Sequence, residues 1–157
     1  MRETGILMPV SSLPSRTGVG ELGKETYTFL DILKEAGVKI WQVLPMNPLG
    51  YGNSPYQPYS SCAGDELYIS LELLYEEGLL KELPPSHLEN AKKVEYEKVR
   101  AWKEGYLREA FENFQETEEY HEFISEEWVR SYGVFRALKK ENENRCWNEW
   151  REEHKNW

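Results

Sequence analysis

The chain has few cysteines, no long apolar run and no excess of basic residues, and each absence excludes a class of protein. Its 157 residues include two cysteines, Cys62 and Cys146, which are far apart, so we expect incidental reduced thiols rather than a disulfide framework or a cysteine metal site. No apolar run approaches the roughly 20 residues of a membrane span, and no signal-like segment follows Met1. A net charge of −9 opposes binding to nucleic acid or anionic membrane. We therefore expect a cytoplasmic protein with neither partner.

Charge is also absent from one continuous segment, residues 40–64, although charged residues make up 30% of the chain. Neutral residues that can form hydrogen bonds take their place, together with Tyr51, Tyr56 and Tyr59. Two interpretations are open for these tyrosines: their rings pack into the core, or they stack on the C–H faces of a sugar. Neutral Asn, Ser and Gln side chains suit hydroxyl groups in a pocket where desolvating a charge would be costly. The segment predicts a binding surface for a polar, uncharged ligand.

The first third of the chain predicts a strand, a helix and a second strand. Residues 4–10 and 38–44 are short apolar runs typical of fully buried strands. Between them, apolar residues recur at helical spacing over residues 24–36, and Gly37 is a stop signal. The short connections favour a βαβ unit with parallel strands joined right-handedly. Residues 45–65 then form a long loop at the carboxyl end of the second strand, where α/β folds place their sites.

The rest of the chain predicts helices. Residues 67–80 split into a short extended piece and a helical turn before Gly78, and the prolines at 84–85 mark a boundary. Beyond the boundary the sequence becomes dense in charge, and apolar residues at helical spacing predict helices over residues 99–114, 118–124 and 128–138. Ser125 is the candidate N-terminal cap of the last of these. We expect a mainly α-helical subdomain.

Two short motifs suggest other functions, but their context does not support either. Gly18-Val-Gly20-Glu-Leu-Gly23 has the dinucleotide-binding spacing, but residues 11–17 separate it from the first strand, and the second strand ends without an acid for a ribose. A glycine-rich approach to a helix N-terminus explains it better. Glu118 and His121 have the spacing of carboxylate-bridged metal sites, which need a second such pair that the sequence lacks. We expect no metal and no cofactor.

Six motifs, in this order and at this spacing, make the chain resemble the amylomaltase or 4-α-glucanotransferase family of bacteria and plants. They are Gly5-Ile-Leu-Met-Pro, Ser12-Leu-Pro, Gly18-Val-Gly20-Glu-Leu-Gly, Phe29-Leu-Asp-Ile-Leu-Lys-Glu-Ala-Gly37, Trp41-Gln-Val-Leu-Pro45 and Gly50-Tyr-Gly-Asn-Ser-Pro-Tyr-Gln57. Weaker similarity continues through Trp102-Lys to Trp147 and Trp150. Three departures lie in or near the loop: Asn53 stands where the family usually has Asp, Cys62 where Phe is common, and Asp65-Glu66 where Asn-Pro is usual.

The resemblance implies an α/β fold, namely the N-terminal part of a (β/α)8 barrel, its first βαβ unit, with a mainly α-helical insertion. Residues 1–82 would begin the catalytic barrel and include the active-site loop at 45–65, and residues 83–157 would form the insertion. The implied activity is retaining transfer of a segment of an α-1,4-glucan, from maltooligosaccharides or starch, to another glucan or glucose, without a cofactor. The resemblance also implies a role in sugar binding for four residues of the loop: Tyr51, Ser54, Tyr56 and Gln57.

No catalytic residue is assigned within the chain. The family's three catalytic carboxylates follow later barrel strands, which would lie beyond Trp157, and no acid here falls at the carboxyl end of a predicted strand. We therefore expect an N-terminal fragment of a larger enzyme that is inactive by itself. The alternative is a short product that acts as a non-catalytic glucan-binding or interaction module, although the unpaired edges of two strands would invite aggregation. The sequence does not indicate the oligomeric state.

Overall fold

The computed structural model describes residues 2–88 and 92–156. These residues form two compact units, one extending to Phe114 and the other beginning at Gln115. Within the described residues, the first unit contains two strands and three α-helices, and the second contains three α-helices. The chain is thus a mixture of helix and strand. The assignment of residues 1–82 to a barrel and 83–157 to an insertion stays a prediction.

The first unit opens with the predicted strand, helix and strand. They are β1 (Gly5–Leu7), α1 (Lys24–Glu35) and β2 (Ile40–Gln42). The two strands pair in parallel, with Gly5 opposite Ile40 and Leu7 opposite Gln42, which confirms the predicted βαβ arrangement. Helix α1 ends where the sequence indicates, because Gly37 adopts a φ of 72° that side chains rarely tolerate.

The prediction that both strands are fully buried is wrong. Leu7 is 56% exposed and Ile40 is 49% exposed. Helix α1 packs on this sheet, where Phe29 of α1 meets Trp41 of β2 edge-to-face at 5.2 Å. A parallel sheet normally has both faces covered, and apolar strand sequences predict such burial. These two strands are less buried than their sequences predict. The regular strands are also shorter than the apolar runs.

The core of the first unit involves its later helices, α2 (Leu71–Glu76) and α3 (Tyr96–Asn113), and α3 contributes to both buried clusters. Leu71, Leu80 and Ala110 form one buried cluster, and Val19, Leu67 and Val99 form another. Ser70 caps α2, accepting a hydrogen bond from Leu73 N at 3.4 Å, and Gly78 ends the segment with a φ of 76°. The predicted stripe on α3 is only partly buried, because Phe111 is 66% exposed.

The second unit consists of α4 (Glu118–Ser125), α5 (Glu127–Glu141) and α6 (Glu152–Lys155). The prediction that Ser125 caps α5 is wrong: it is the last residue of α4, and its hydroxyl donates to Glu122 O at 2.6 Å. Glu126 stands at the cap position without a side-chain cap bond. Trp150 is buried and its ring lies 5.8 Å from that of Phe135. No helix within residues 2–88 and 92–156 is long and apolar enough to cross a membrane.

Candidate functional site

The uncharged segment forms a loop that is closed at its neck. Leu49 and Pro58 form an isolated antiparallel bridge, and Tyr59 N donates to Pro48 O at 2.9 Å. Both Pro48 and Leu49 are buried, so the neck is anchored in the unit while the residues between its two sides are carried outwards. We call residues 50–57 the site loop. It holds all four residues that the sequence singles out for sugar binding.

Two tyrosines of the site loop present their rings to solvent. Tyr51 is 92% exposed and Tyr56 is 71% exposed, so neither ring is packed into the core of this chain. Tyr59, just beyond the loop, is partly buried at 38% exposed. Gln57 is exposed and Ser54 is half-buried. The exposed faces therefore combine aromatic surface with neutral hydrogen-bonding groups, and they contain no charge to satisfy.

Local backbone bonds give the site loop its shape. Gly50 lies so close to the other side of the neck that an added Cβ would be 2.2 Å from Gln57 O, so no side chain fits there. Gly52 and Asn53 both have positive φ, 73° and 53°, a conformation that Asn tolerates better than most residues. Ser54 O then accepts from Gln57 N at 3.1 Å. This turn brings Ser54, Tyr56 and Gln57 together with Tyr51 on one short loop.

A buried ion pair lies beneath the neck. The side chain of Asp65 is fully buried, and its oxygens accept from Leu49 N at 3.1 Å and from Leu67 N at 2.9 Å. Arg100 of α3 donates to both oxygens, from Nη2 at 2.6 Å and from Nη1 at 3.1 Å, and also contacts Glu66. Burial is the largest single influence and lowers the pKa of the Arg100 guanidinium, but the hydrogen bond to Asp65 and the negative charges of Asp65, Glu66 and Glu97 together raise it by more, so the pKa is raised overall. The carboxylate is fully used as an acceptor.

A second buried ion pair fastens α3 three residues further along. Lys103 Nζ donates to Glu21 Oε1 at 2.6 Å and to the carbonyl oxygens of Leu67 and Ile69 at 2.7 Å each, and Thr17 Oγ1 donates to the same Glu21 oxygen at 2.7 Å. The Lys103 side chain is only 1% exposed. Burial lowers the pKa of Lys103, and the Glu21 carboxylate opposes this shift. The pair joins α3 to two segments distant in sequence.

The two motifs that suggested other functions have structural explanations. An added Cβ at Gly20 would be 1.8 Å from Val10 O, and one at Gly23 would be 2.7 Å from Ser70 Oγ, so these glycines allow close packing at the approach to α1. Glu118 lies at the start of α4, and the exposed ring of His121 is 3.3 Å from Glu116. The described residues contain no group of three or more side chains that could hold a metal ion.

Sequence reasoning missed the charged pairs that support the site. Asp65 is the first charged residue after the uncharged segment, and Arg100 and Lys103 interrupt the apolar spacing of α3. Because they are three residues apart, Arg100 and Lys103 lie on the same side of the helix. Val99 on the same side of the helix is buried. Two cationic residues beside a buried apolar position were the available signal that each would have a buried acidic partner.

Comparison with known proteins gives one consistent result. The family model described as 4-alpha-glucanotransferase matches residues 8–157. Similar curated proteins include the 4-alpha-glucanotransferase of Aquifex aeolicus, 46% identical over 98% of this chain, and that of Thermus thermophilus, 41% identical over 95%. They are much longer, since the match covers 32% and 31% of their lengths.

A solved structure agrees with the sequence matches. The chain is similar to an amylomaltase from Streptococcus agalactiae in complex with acarbose, with a TM-score of 0.86 and 33% identity, covering 96% of this chain and 32% of the other. The chain therefore spans about a third of the length of the relatives that it matches. With a family model over nearly its whole length and a matching fold, the chain belongs to the 4-alpha-glucanotransferase family.

Proposed function

We propose that the protein carrying this chain is a 4-α-glucanotransferase, and that this chain supplies part of its glucan-binding surface. The protein would transfer a segment of a 1,4-α-glucan to another glucan or to glucose with retention. The observation that carries the proposal is the site loop, which presents exposed tyrosines and neutral polar groups to solvent. Its neck is buried and is held by the buried carboxylate of Asp65, and the chain belongs to this family. The solved relative in complex with acarbose supports a carbohydrate ligand.

The site loop suits glucose units chemically. The exposed rings of Tyr51 and Tyr56 offer apolar faces on which the C–H faces of a sugar can stack. The hydroxyl of Ser54 and the amide of Gln57 can donate to and accept from sugar hydroxyls. No charged side chain has to be desolvated when a neutral glucan covers the loop, so binding does not carry that cost.

The reacting carboxylates are not assigned to this chain. Asp65 lies next to the neck, but it is fully buried and accepts hydrogen bonds from four donors, so it is neither free to protonate a leaving group nor able to reach a sugar. We therefore predict no transfer by the chain alone. Residues 1–82 would begin a (β/α)8 barrel and residues 83–157 its helical insertion, in a cytoplasmic protein that acts without a metal or organic cofactor.

The direct test of the proposal is disproportionation of maltotriose by the whole protein. We expect glucose and maltooligosaccharides longer than the substrate, measured by chromatography over time. A protein that only hydrolyses its substrate, or that acts only on another class of sugar, would overturn the proposal. The chain alone is the second sample, and we expect no turnover from it. If it does turn over maltotriose, and if Tyr56→Ala abolishes that activity, the catalytic groups lie within these residues.

The role of the site loop is tested separately by substitution in the whole protein. Tyr51→Ala and Tyr56→Ala each remove one exposed ring, and since stacking of an aromatic ring contributes about 0.5–1.5 kcal/mol beyond area, we expect KM for maltotriose to rise about threefold to tenfold. Tyr75→Ala is the control, because Tyr75 is also exposed but belongs to α2 and not to the site loop. Equal KM values in all three variants would exclude the loop as a binding surface.

A further inference from the structure

The buried pair beneath the neck has a geometry that reaches the site loop. Leu49 lies directly before the site loop, and its backbone N–H donates to Asp65 Oδ2. The same oxygen accepts a hydrogen bond from Arg100 Nη2 at 2.6 Å. The other carboxylate oxygen accepts from Arg100 Nη1 and from Leu67 N. One carboxylate thus joins the neck of the loop, the segment after it and helix α3.

Arg100 is itself held from a rigid position. It follows Val99, which is 0% exposed, and precedes Lys103, whose side chain is 1% exposed and bonded to three acceptors. Its guanidinium donates to Asp65 through two parallel bonds, an arrangement that fixes orientation as well as distance. A displacement of α3, or the loss of one of the two bonds from the Arg100 guanidinium to Asp65, would therefore shift Asp65 and with it the backbone of Leu49.

We infer that Arg100, acting through the buried carboxylate of Asp65, is a positioning residue that holds the neck of the site loop and so places its tyrosines for the glucan. The inference rests on the proposed function. Neither residue touches the sugar in this assignment. Asp65 lies under the neck with no exposed side-chain surface, and Arg100 donates to it from the side of α3. Their effect on the substrate is carried by the backbone of Leu49 and by the bridge between Leu49 and Pro58.

The carboxylate is needed because four donors converge on it. An amide at this position would offer one acceptor oxygen and would turn an N–H group towards donors that it cannot satisfy. Asp65→Asn should therefore loosen the neck although the side chain keeps its shape. Arg100→Met should do the same for a different reason, since it leaves a fully buried carboxylate without its cation.

The experiment measures KM and kcat for maltotriose, and hydrogen exchange of the segment at residues 46–60, in the whole protein. The variants are Arg100→Met, Arg100→Lys and Asp65→Asn, and the control is Arg108→Met. Arg108 also lies on α3 and forms an ion pair, with Glu104, but both partners are exposed. For Arg100→Met and Asp65→Asn we expect KM to rise about tenfold with kcat within about threefold, and exchange at Leu49 to become about tenfold faster.

A purely structural role would give a different pattern. It would lower the fraction of active protein, and so the apparent kcat, while leaving KM unchanged, and exchange would become faster to a similar extent across residues 46–60 rather than at Leu49 in particular; that result would overturn the inference. If Arg100→Met does not fold, Arg100→Lys decides, because it keeps the charge over Asp65 but loses the two-point fork, and an unchanged KM for it would equally refute the role. If the unaltered protein shows no transfer, the proposed function fails, and with it the glucan role of the loop.

Discussion

Replacing Lys103 by Met should destabilise the first unit more than any exposed lysine substitution on the same helix. The lysine ammonium is buried to 1% exposed and donates to the Glu21 carboxylate and to two backbone carbonyls, all at 2.6–2.7 Å. Met fills a similar unbranched volume, so the change removes the charge and the three bonds while leaving little cavity. The perturbation is therefore mainly electrostatic.

The size of the stability loss follows from the groups that lose their partner when Lys103 is replaced. Glu21 remains buried, with its side chain 7% exposed, and the Thr17 hydroxyl still donates to its Oε1. Removing one partner of a buried ion pair typically costs about 3–5 kcal/mol, because the other charge stays desolvated and uncompensated. The carbonyls of Leu67 and Ile69 also lose a donor. We expect the free energy of unfolding to fall by about 3–5 kcal/mol.

Urea unfolding followed by circular dichroism and tryptophan fluorescence measures this change. A loss of that size corresponds to a shift of the urea midpoint on the order of 2 M. Lys98→Met is the control: Lys98 lies on the same helix but is exposed in a pair with Glu95, which should contribute at most about 0.5 kcal/mol. Midpoints that agree between Lys103→Met and Lys98→Met would refute the reasoning.

A double substitution separates loss of the pair from loss of packing. Glu21→Gln combined with Lys103→Met removes the uncompensated charge while keeping both side-chain volumes. The combined loss should then be smaller than the sum of the two single losses, with a coupling free energy of about 2 kcal/mol. Additive losses would show that the two side chains do not interact as the 2.6 Å contact indicates.

Three further predictions test the packing and titration of the first unit. Gly20→Ala should destabilise it by about 1–3 kcal/mol in urea unfolding, because the new Cβ would be 1.8 Å from Val10 O. Gly50→Ala should distort the neck and raise KM for maltotriose in the whole protein, whereas Gly64→Ala, with nothing within 4 Å of its Cβ, should not. Tyr68 has a pKa raised above 10.0, chiefly by burial, so folding stability should fall as pH rises from about 9 through the folded-state pKa. Tyr68→Phe should remove that part of the alkaline loss, measured as urea midpoints against pH.

The parts of the fold that sequence predicts well are those set by local patterns. The bounds of α1 follow from apolar periodicity and from Gly37, whose positive φ ends the helix whatever packs around it. The order of strand, helix and strand, and hence the parallel pairing, follow from the short connections. Ser125 shows the limit, because a serine between two helices can serve either one, and the geometry of the junction decided that it ends α4.

The candidate site divides in the same way. A segment free of charge in a chain that is 30% charged is visible in the sequence, which made residues 50–57 a candidate, and their role in glucan binding stays a prediction. The support of the loop was not predictable, since Arg100 reaches Asp65 across 35 positions and nothing local indicates which of many acids an arginine on a charged helix will contact. Burial of the strands also depends on which other elements cover the sheet, and the apolar runs alone do not identify those elements.

The uncharged loop and the buried charges beneath it are two consequences of one requirement. A surface for a neutral glucan works best without charges that binding would desolvate, but a loop without charged side chains has few strong bonds with which to hold its own shape. The chain meets both demands by placing its charges beneath the loop, where Asp65 accepts a hydrogen bond from Leu49 N of the neck and Arg100 of α3 neutralises the Asp65 charge. If this separation is correct, substitutions on the loop should act on glucan affinity with little effect on unfolding, while substitutions of the Glu21–Lys103 pair should act chiefly on unfolding. Arg100 and Asp65 stand between these two classes, because their ion pair connects helix α3 to the neck of the loop.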